Sequence, residues 1–350
     1  MAAIEGVLEN MQLFLGPQSQ MFEHEFAEYC GCRFGVGLST GTDALILALR
    51  ACDIGDGDEV ITVANTFIAT VEAIALVGAT PVFVDIDPDT YTMDWQQLGQ
   101  VLTSRTKAII PVHLYGHPVD MQPVLDFAHL HDLRVIEDAS QAHGATYQGQ
   151  RVGGIGDIGC FSFYFSKNLG AYGEAGACVT NDVHLAESIR KYRDHGSLIR
   201  YQHETLGVNA RMDEIQAAVL RVKLPYLEQG NFGRQAHAKF YNEQLKGVVE
   251  AIPLVQPWAT HVYYVYVVQV HERDAFRQAL EQEGIATSIH YPTPIHLQPA
   301  CSQYGYVRGM LPVTEAVTDH IVSLPMYPEL TTEQTQKVVN AVKSSIVSRV

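Results

Sequence analysis

The chain has 350 residues, 47% of them hydrophobic, with a mean hydropathy of zero, enough apolar content for a large core and two domains. Its 39 acidic residues against 23 basic ones leave a formal charge of −16, which repels polyanions at long range, so nucleic acid is excluded as an expected partner. No apolar run reaches the roughly 18 residues of a membrane span, and the opening Met-Ala-Ala-Ile-Glu-Gly carries no basic segment. A cytoplasmic protein without a membrane partner is expected.

From about residue 40 to residue 180, short apolar runs alternate with amphipathic stretches, the pattern of an α/β domain with a mostly parallel sheet sandwiched by helices. In chain order the reading predicts a helix over 42–52, a strand over 59–63, a helix over 67–77, strands over 81–85 and 107–112, a helix over 121–131 and a strand over 134–137. After residues 177–180 come helices over 183–195 and 212–224 with an irregular polar piece between them. From about residue 230 the character changes to a helix, an extended aromatic run over 262–270, a helix over 274–283 and a closing helix over 332–347. A large domain over 1–229 and a smaller C-terminal α+β domain over 230–350 are expected. The cysteines, Cys30, Cys32, Cys52, Cys160, Cys178 and Cys301, form neither a Cys-x-x-Cys pair nor a zinc-type spacing. They read as buried free thiols.

In an open α/β sheet, ligands rest at the carboxyl ends of the strands. Asp138 follows the strand Arg-Val-Ile-Glu and leads into Ala-Ser-Gln-Ala-His-Gly, so it either faces a ligand or caps the next turn. Lys167 ends the aromatic run Cys160-Phe-Ser-Phe-Tyr-Phe-Ser. It is either a surface lysine or an amine whose apolar neighbours favour the neutral form that makes a Schiff base. Ser162 can offer a hydroxyl to a phosphate, and Gly170, Gly173 and Gly176 allow close approach to a flat ring. Ser39-Thr-Gly-Thr-Asp43 opens the first strong helix, where free amides suit a phosphate, although such residues also cap helices that bind nothing. Phe67 can stack on a ring or pack in the core. Asn209 and Arg211 precede a helix, as phosphate or substrate ligands or as a surface cap.

Two patterns point elsewhere. Gly154-Ile-Gly156-Asp-Ile-Gly159 matches G-x-G-x-x-G, but it follows a polar turn and leads into a strand rather than a helix, so its glycines are expected in turns. His113 and His117 flank a Tyr-Gly turn without a carboxylate at metal-site spacing. They are read as loop histidines or substrate contacts, and no metal is expected.

The strings STGTDALILAL, GDEVIT, PVFVDIDPDTY, TKAIIPVHLYG, VIEDASQAHGA, GCFSFYFSKNLGAYGEAG, NARMDEIQAAVL, IHYPTPIHLQPA and SLPMYPEL occur in order. Together they resemble the sugar aminotransferases of the DegT/DnrJ/StrS family over almost the whole chain. The resemblance implies the type I fold of pyridoxal-phosphate enzymes and a homodimer with residues of both chains at each site. It implies that Lys167 holds pyridoxal 5'-phosphate and moves the proton, and that Asp138 faces the ring nitrogen. Gln141 would lie near the ring hydroxyl and Phe67 would cover a ring face. Gly41, Thr42 and Ser162 would hold the phosphate, with Asn209 contributed from the other subunit. His290, Tyr291 and His296 resemble residues near the sugar, with Arg211 a further candidate there. Phe165 stands where the family usually has proline and Ser140 where it has alanine; the chain opens inside the first helix of the pattern, without the usual apolar entry segment. Dehydratase relatives replace the lysine with histidine, so Lys167 points to amino transfer. L-glutamate is the implied donor, by way of pyridoxamine phosphate, and a nucleotide-linked keto-sugar the acceptor. The motif KNLGAYGEAG is closest to members acting at C3 of a 3-keto-6-deoxyhexose carried on thymidine diphosphate; amination at C4, a cyclitol substrate or a non-enzymatic regulatory protein are the alternatives.

Overall fold

The alternation of short apolar strands and amphipathic helices builds one sheet, with helices α1 (Ala2–Asn10) and α2 (Pro17–Cys30) laid down before it, in a computed structural model that describes residues 1–347. The sheet has seven strands: β1 (Phe34–Leu38), β2 (Glu59–Val63), β3 (Thr80–Val84), β4 (Thr106–Ile109), β5 (Arg134–Asp138), β6 (Ile158–Ser162) and β7 (Gly176–Thr180), in the order β1-β7-β6-β5-β4-β2-β3. Helices α3 (Gly41–Ala51), α4 (Ala69–Leu76), α5 (Met121–Leu130), α6 (Val183–Arg193) and α7 (Glu214–Lys223) flank it. Neighbouring strands pair in parallel from β6 to β3, while β7 runs antiparallel to both β1 and β6. The reversal has a local cause. The connection 163–175 contains no helix, so the chain turns back at the same edge of the sheet instead of crossing over.

Side chains alternate between the two faces of each strand and divide the core. Ile158, Cys160 and Cys178 pack with Leu45 and Leu49 of α3 and Ile189 of α6. On the other face Phe161, Ala177 and Val179 meet Phe22 and Phe26 of α2 and Leu220 of α7. All six cysteines are free, and all but Cys52 are buried.

The same alternation acts on β5. Glu137, fully buried, accepts hydrogen bonds from the amides of Gly153 (2.7 Å), Ile155 (2.8 Å) and Gly156 (2.7 Å), and lies 3.0 Å from His113 Nε2. The Val119 amide donates to His113 Nδ1 at 3.0 Å; that nitrogen therefore carries no proton, and a neutral imidazole donates from Nε2 to the carboxylate. His117 is also buried, donating from Nδ1 to the Pro118 carbonyl and accepting the Gln256 amide at Nε2. Both histidines lie in the loop after β4, as the sequence suggested, and their ring nitrogens are taken up in internal hydrogen bonds. Of the G-x-G-x-x-G glycines, Gly154 and Gly156 lie in the turn around Glu137. Gly159 lies instead within β6, where a Cβ would come 2.2 Å from the Gly153 carbonyl oxygen.

Beyond the sheet, α8 (Leu227–Leu245), α9 (Arg273–Gln282), α10 (Pro312–His320) and α11 (Thr332–Val347) accompany an antiparallel pair, β8 (Tyr266–Gln269) and β9 (Ile321–Leu324). Tyr241, Leu245, Tyr266, Phe276, Val339 and Val342 form their common core. The extended run expected over 262–270 is shorter as a strand because His261 to Tyr264 serve other contacts: the Val262 and Tyr264 amides bond the Gly116 and Tyr115 carbonyls. Among the described residues no helix is long and apolar enough to cross a membrane and no His/Cys/Asp/Glu group could hold a metal ion.

Because Glu137 satisfies three buried amides and an imidazole, Glu137→Ala is expected to lower the unfolding free energy by about 3–5 kcal/mol. Urea denaturation measures it; a loss below about 1 kcal/mol would show that these donors find other acceptors cheaply.

Candidate active site

The carboxyl ends of β5 and β6 lie beside the N-terminus of α3, and most of the candidate side chains meet there. Asp138, the last residue of β5, is buried on the face of the strand opposite Glu137. Its Oδ2 accepts the Thr70 hydroxyl at 2.8 Å and its Oδ1 accepts the Ser140 amide at 3.2 Å, so the turn-capping contact expected of it is present on one oxygen. Gln141 is fixed at both ends: its Oε1 accepts the Tyr115 amide at 2.8 Å, and its Nε2 donates to the Tyr291 hydroxyl at 3.0 Å. Tyr291 in turn lies 5.7 Å, ring to ring, from Phe67. Phe67 is 52% exposed, which decides against the core-packing alternative.

Lys167 is half-buried, and its Nζ stands 4.3 Å from the centre of the Tyr264 ring, a cation–π contact. Its own aromatic neighbours do not enclose it, since Tyr164 and Phe165 turn to the surface; a tyrosine nearly a hundred residues away in sequence takes that place. Gly41 and Ser162 touch: a Cβ on Gly41 would fall 2.5 Å from that of Ser162, and one on Gly176 would fall 2.1 Å from the Thr40 carbonyl oxygen. Thr40 caps α3 by accepting the Asp43 amide at 3.0 Å. The Gly41 and Thr42 amides, at the start of the first turn, have no acceptor within the helix.

Two histidines border this cluster. His290 Nδ1 lies 2.7 Å from the Ser323 hydroxyl, and its carbonyl accepts the Tyr115 hydroxyl. Burial, and then the positive charge of Lys167, lower its pKa to about 4. His143, buried between the rings of Phe161 and Phe163 at 5.4 Å from each, is lowered to about 3 by the same two causes in the same order. The Tyr291 hydroxyl is pushed well above its ordinary value, chiefly by burial.

Three candidates are engaged elsewhere in this chain. Arg211 pairs with Asp194 at 3.2 Å and lies over the Phe14 ring at 4.2 Å. Asn209, exposed, accepts the Arg211 Nε at 3.0 Å. His296 is buried 3.0 Å from Glu315, in a cluster with Phe83 and Tyr306. Thr70, Tyr115, His143, Tyr264 and Ser323 escaped the sequence reading. Tyr115, His143 and Ser323 lay inside the motif strings without being singled out; Thr70 and Tyr264 reach the cluster through tertiary packing that spacing does not encode.

A family model described as DegT/DnrJ/EryC1/StrS aminotransferases matches residues 1–343. The chain belongs to this family. It is 46% identical to UDP-N-acetyl-3-dehydro-α-D-glucosamine 3-aminotransferase of Acidithiobacillus ferrooxidans, over 99% of this chain and 93% of that one. It is 44% identical to dTDP-3-amino-3,4,6-trideoxy-α-D-glucose transaminase of Streptomyces venezuelae, over 98% and 90%. Among solved structures, S. venezuelae DesV in complex with a ketimine intermediate superposes with a TM-score of 0.97 at 44% identity, covering 98% of this chain and 93% of that one. A Bacillus subtilis protein, NtdA, with bound pyridoxamine phosphate gives 0.92 at 33%, covering 99% and 81%. The family member described here is therefore a sugar aminotransferase, with the α/β fold of its pyridoxal-phosphate-dependent relatives.

The histidines of this region give the stability a defined pH dependence. His143, His290 and His117 are held at about 3, 4 and 4, against an ordinary value of 6.5, each mainly by burial. Above pH 6.5 neither the folded nor the unfolded chain carries these protons. As pH falls from there towards 4, the unfolded chain takes up protons that the folded one refuses, so stability falls, by up to 1.4 kcal/mol per pH unit for each histidine, roughly. Urea unfolding followed between pH 6.5 and pH 4 tests this; a flat or rising free energy over that window would overturn it.

Proposed function

We propose that the protein binds pyridoxal 5'-phosphate where β5, β6 and α3 meet, and that it moves the amino group of L-glutamate to C3 of a 3-keto-6-deoxyhexose carried on thymidine diphosphate. The observation that carries the cofactor reading is the convergence of a buried carboxylate, an oriented amide and a lysine amine beside a backbone cradle that has no room for a Cβ at Gly41. These groups fit the ligand: an acceptor for a ring N–H, a donor near a ring oxygen, an amine for an aldehyde, and free amides for a phosphate.

When bound, this cofactor supplies an electrophilic carbon and an electron sink. Lys167 carries the proton to and from the reacting carbon at its Nζ, close to the Tyr264 face that receives it when cationic. Asp138 holds the ring-nitrogen proton in place. Gln141, locked by Tyr115 and Tyr291, orients the ring through its hydroxyl. Phe67 covers one ring face and excludes water there. Gly41, Thr42 and Ser162 take the phosphate through amides and hydroxyls. His290 and Tyr291 border the sugar, His290 as a neutral imidazole anchored by Ser323. Arg211 and His296 stand outside this reading, because Asp194 and Glu315 already hold them.

Support for C3 comes from the two relatives named above, one called a 3-aminotransferase and the other a transaminase of a 3-amino sugar, and from the motif KNLGAYGEAG. Support for a homodimer in which Asn209 reaches the partner's phosphate comes from the segment around it. Leu198, Ile199, Tyr201 and Leu206 are 51%, 59%, 78% and 87% exposed, an apolar surface that a lone soluble chain seldom leaves open.

Lys167→Ala is expected to fold normally, by circular dichroism, and to lose about ten-thousand-fold or more in turnover; a variant that kept a substantial fraction of turnover would reject the assignment. Offering glutamate with a 3-keto or a 4-keto thymidine-diphosphate sugar and identifying the product by NMR tests the acceptor. Amination of the 4-keto sugar alone would refute C3 and leave amino transfer standing. Mixed dimers of Lys167→Ala and a silent Asn209 variant should regain activity, whereas a fully active monomer in sedimentation would end the shared-site reading.

A further inference from the structure

Behind Asp138 lies a short chain of hydroxyls that the account above leaves without a role. Thr66, in the segment before α4, and Thr70, in its first turn, are 2% and 0% exposed. The Thr70 hydroxyl donates to Asp138 Oδ2 at 2.8 Å, and the Thr66 hydroxyl oxygen is 2.9 Å from that of Thr70. The carboxylate oxygen only accepts, so the single proton of Thr70 is committed to it. Thr66 must therefore be the donor to Thr70, and the bonds run in one direction, Thr66 to Thr70 to Asp138. Each bond in such a chain polarises the next. The Ser140 amide occupies Oδ1 at 3.2 Å, so both carboxylate oxygens are pinned from the protein side and the plane of the group is fixed.

We propose that Thr70, reinforced by Thr66, is a positioning residue for amino transfer: its hydrogen bond keeps Asp138 oriented and charged, so that the proton shared with the cofactor ring resides on the ring nitrogen. Without that donor the carboxylate loses a bond that stabilises its charged form, binds the shared proton more strongly and is held from the protein side by the Ser140 amide alone. The ring nitrogen then spends more time unprotonated and withdraws electrons less. Packing alone does not require this arrangement, since valine has nearly the shape of threonine but no hydroxyl to donate.

The inference rests on the cofactor reading proposed above, and its test separates the two. Pyridoxal phosphate labelled with ¹⁵N in the ring is bound to the unaltered protein and to Thr70→Val, Thr66→Val and Thr70→Ser. The ring-nitrogen chemical shift is recorded, together with the rate of the half-reaction with glutamate. The unaltered protein is expected to show a protonated ring nitrogen. Thr70→Val should move the shift towards neutral pyridine and slow the half-reaction about ten-fold or more. Thr66→Val should move both in the same direction by less, and Thr70→Ser, which restores a hydroxyl, should return both close to the unaltered values. If the unaltered protein binds no cofactor, the cofactor reading fails and takes this inference with it. If it binds cofactor with a protonated nitrogen and Thr70→Val leaves the shift unchanged, the inference alone is overturned, whatever happens to the rate. Should Thr70→Val fail to fold, Thr66→Val and Thr70→Ser still decide by the presence or absence of the graded shift.

Discussion

The buried carboxylate of Glu137 is the constraint on which the rest of the molecule hangs. A charge in the interior is tolerable only when its lone pairs are met by donors. Here three backbone amides of the 153–156 turn and a neutral imidazole supply them. The turn is thereby tied to the underside of β5, His113 is tied to the loop after β4, and β6 begins at a fixed distance from both. Asp138 is the next residue, and the pleat sends it to the other face. Scaffold and candidate site thus share one strand end: the carboxylate that organises the turn also settles where the Asp138 carboxylate stands.

The second half of the site is brought in by contacts that cross the whole chain. Arg234, buried on α8, donates to the carbonyls of Tyr263 (3.1 Å), Tyr264 (3.2 Å) and Met326 (3.0 Å), which presents the Tyr264 ring to Lys167. Asn231, one turn earlier on the same helix, accepts from Asn168 and donates to the His143 carbonyl, at 2.8 Å each. A single helix face therefore registers the lysine loop, the segment after Asp138 and the aromatic run against one another. The arginine is hydrogen-bonded by carbonyls, and burial lowers its pKa to about 10 against the opposing pull of the Glu329 carboxylate.

Much of this architecture was legible in the sequence wherever periodicity and a local motif agreed. The helices over 42–52 and 121–131 and the strands of the sheet fall within a few residues of the structure's α3, α5 and β2 to β5. The strand end at Asp138, the lysine after an aromatic strand and the small-residue start of α3 were found because each is a short-range pattern. Partnerships were not legible. Arg211 looks like a free cation in a motif, yet Asp194 and the Phe14 ring claim it. His296 looks like a sugar ligand, yet Glu315 holds it in a buried cluster. His113 looked unaccompanied because its carboxylate lies 24 positions away on another strand. Whether a polar side chain is spent or available depends on tertiary neighbours, and one-dimensional spacing carries little information about them.

The reversed strand β7 has a consequence for the order in which the molecule can assemble. Ser162 pairs directly with Gly176, so the lysine-bearing connection is closed by neighbours in sequence, and its loop entropy is paid locally. The contact between α3 and β6 is different: Gly41 must find Ser162 across more than a hundred residues. A partly folded chain can therefore close the Lys167 connection before Tyr264 and Gly41 have reached it. On the cofactor reading proposed above, such a chain would offer a ligand fewer contacts than the native state, in which Lys167, Gln141 and the Gly41–Ser162 contact stand together. Occupancy by a phosphorylated aldehyde then favours the fully assembled state by mass action, so the supply of cofactor becomes part of what drives the last step of folding.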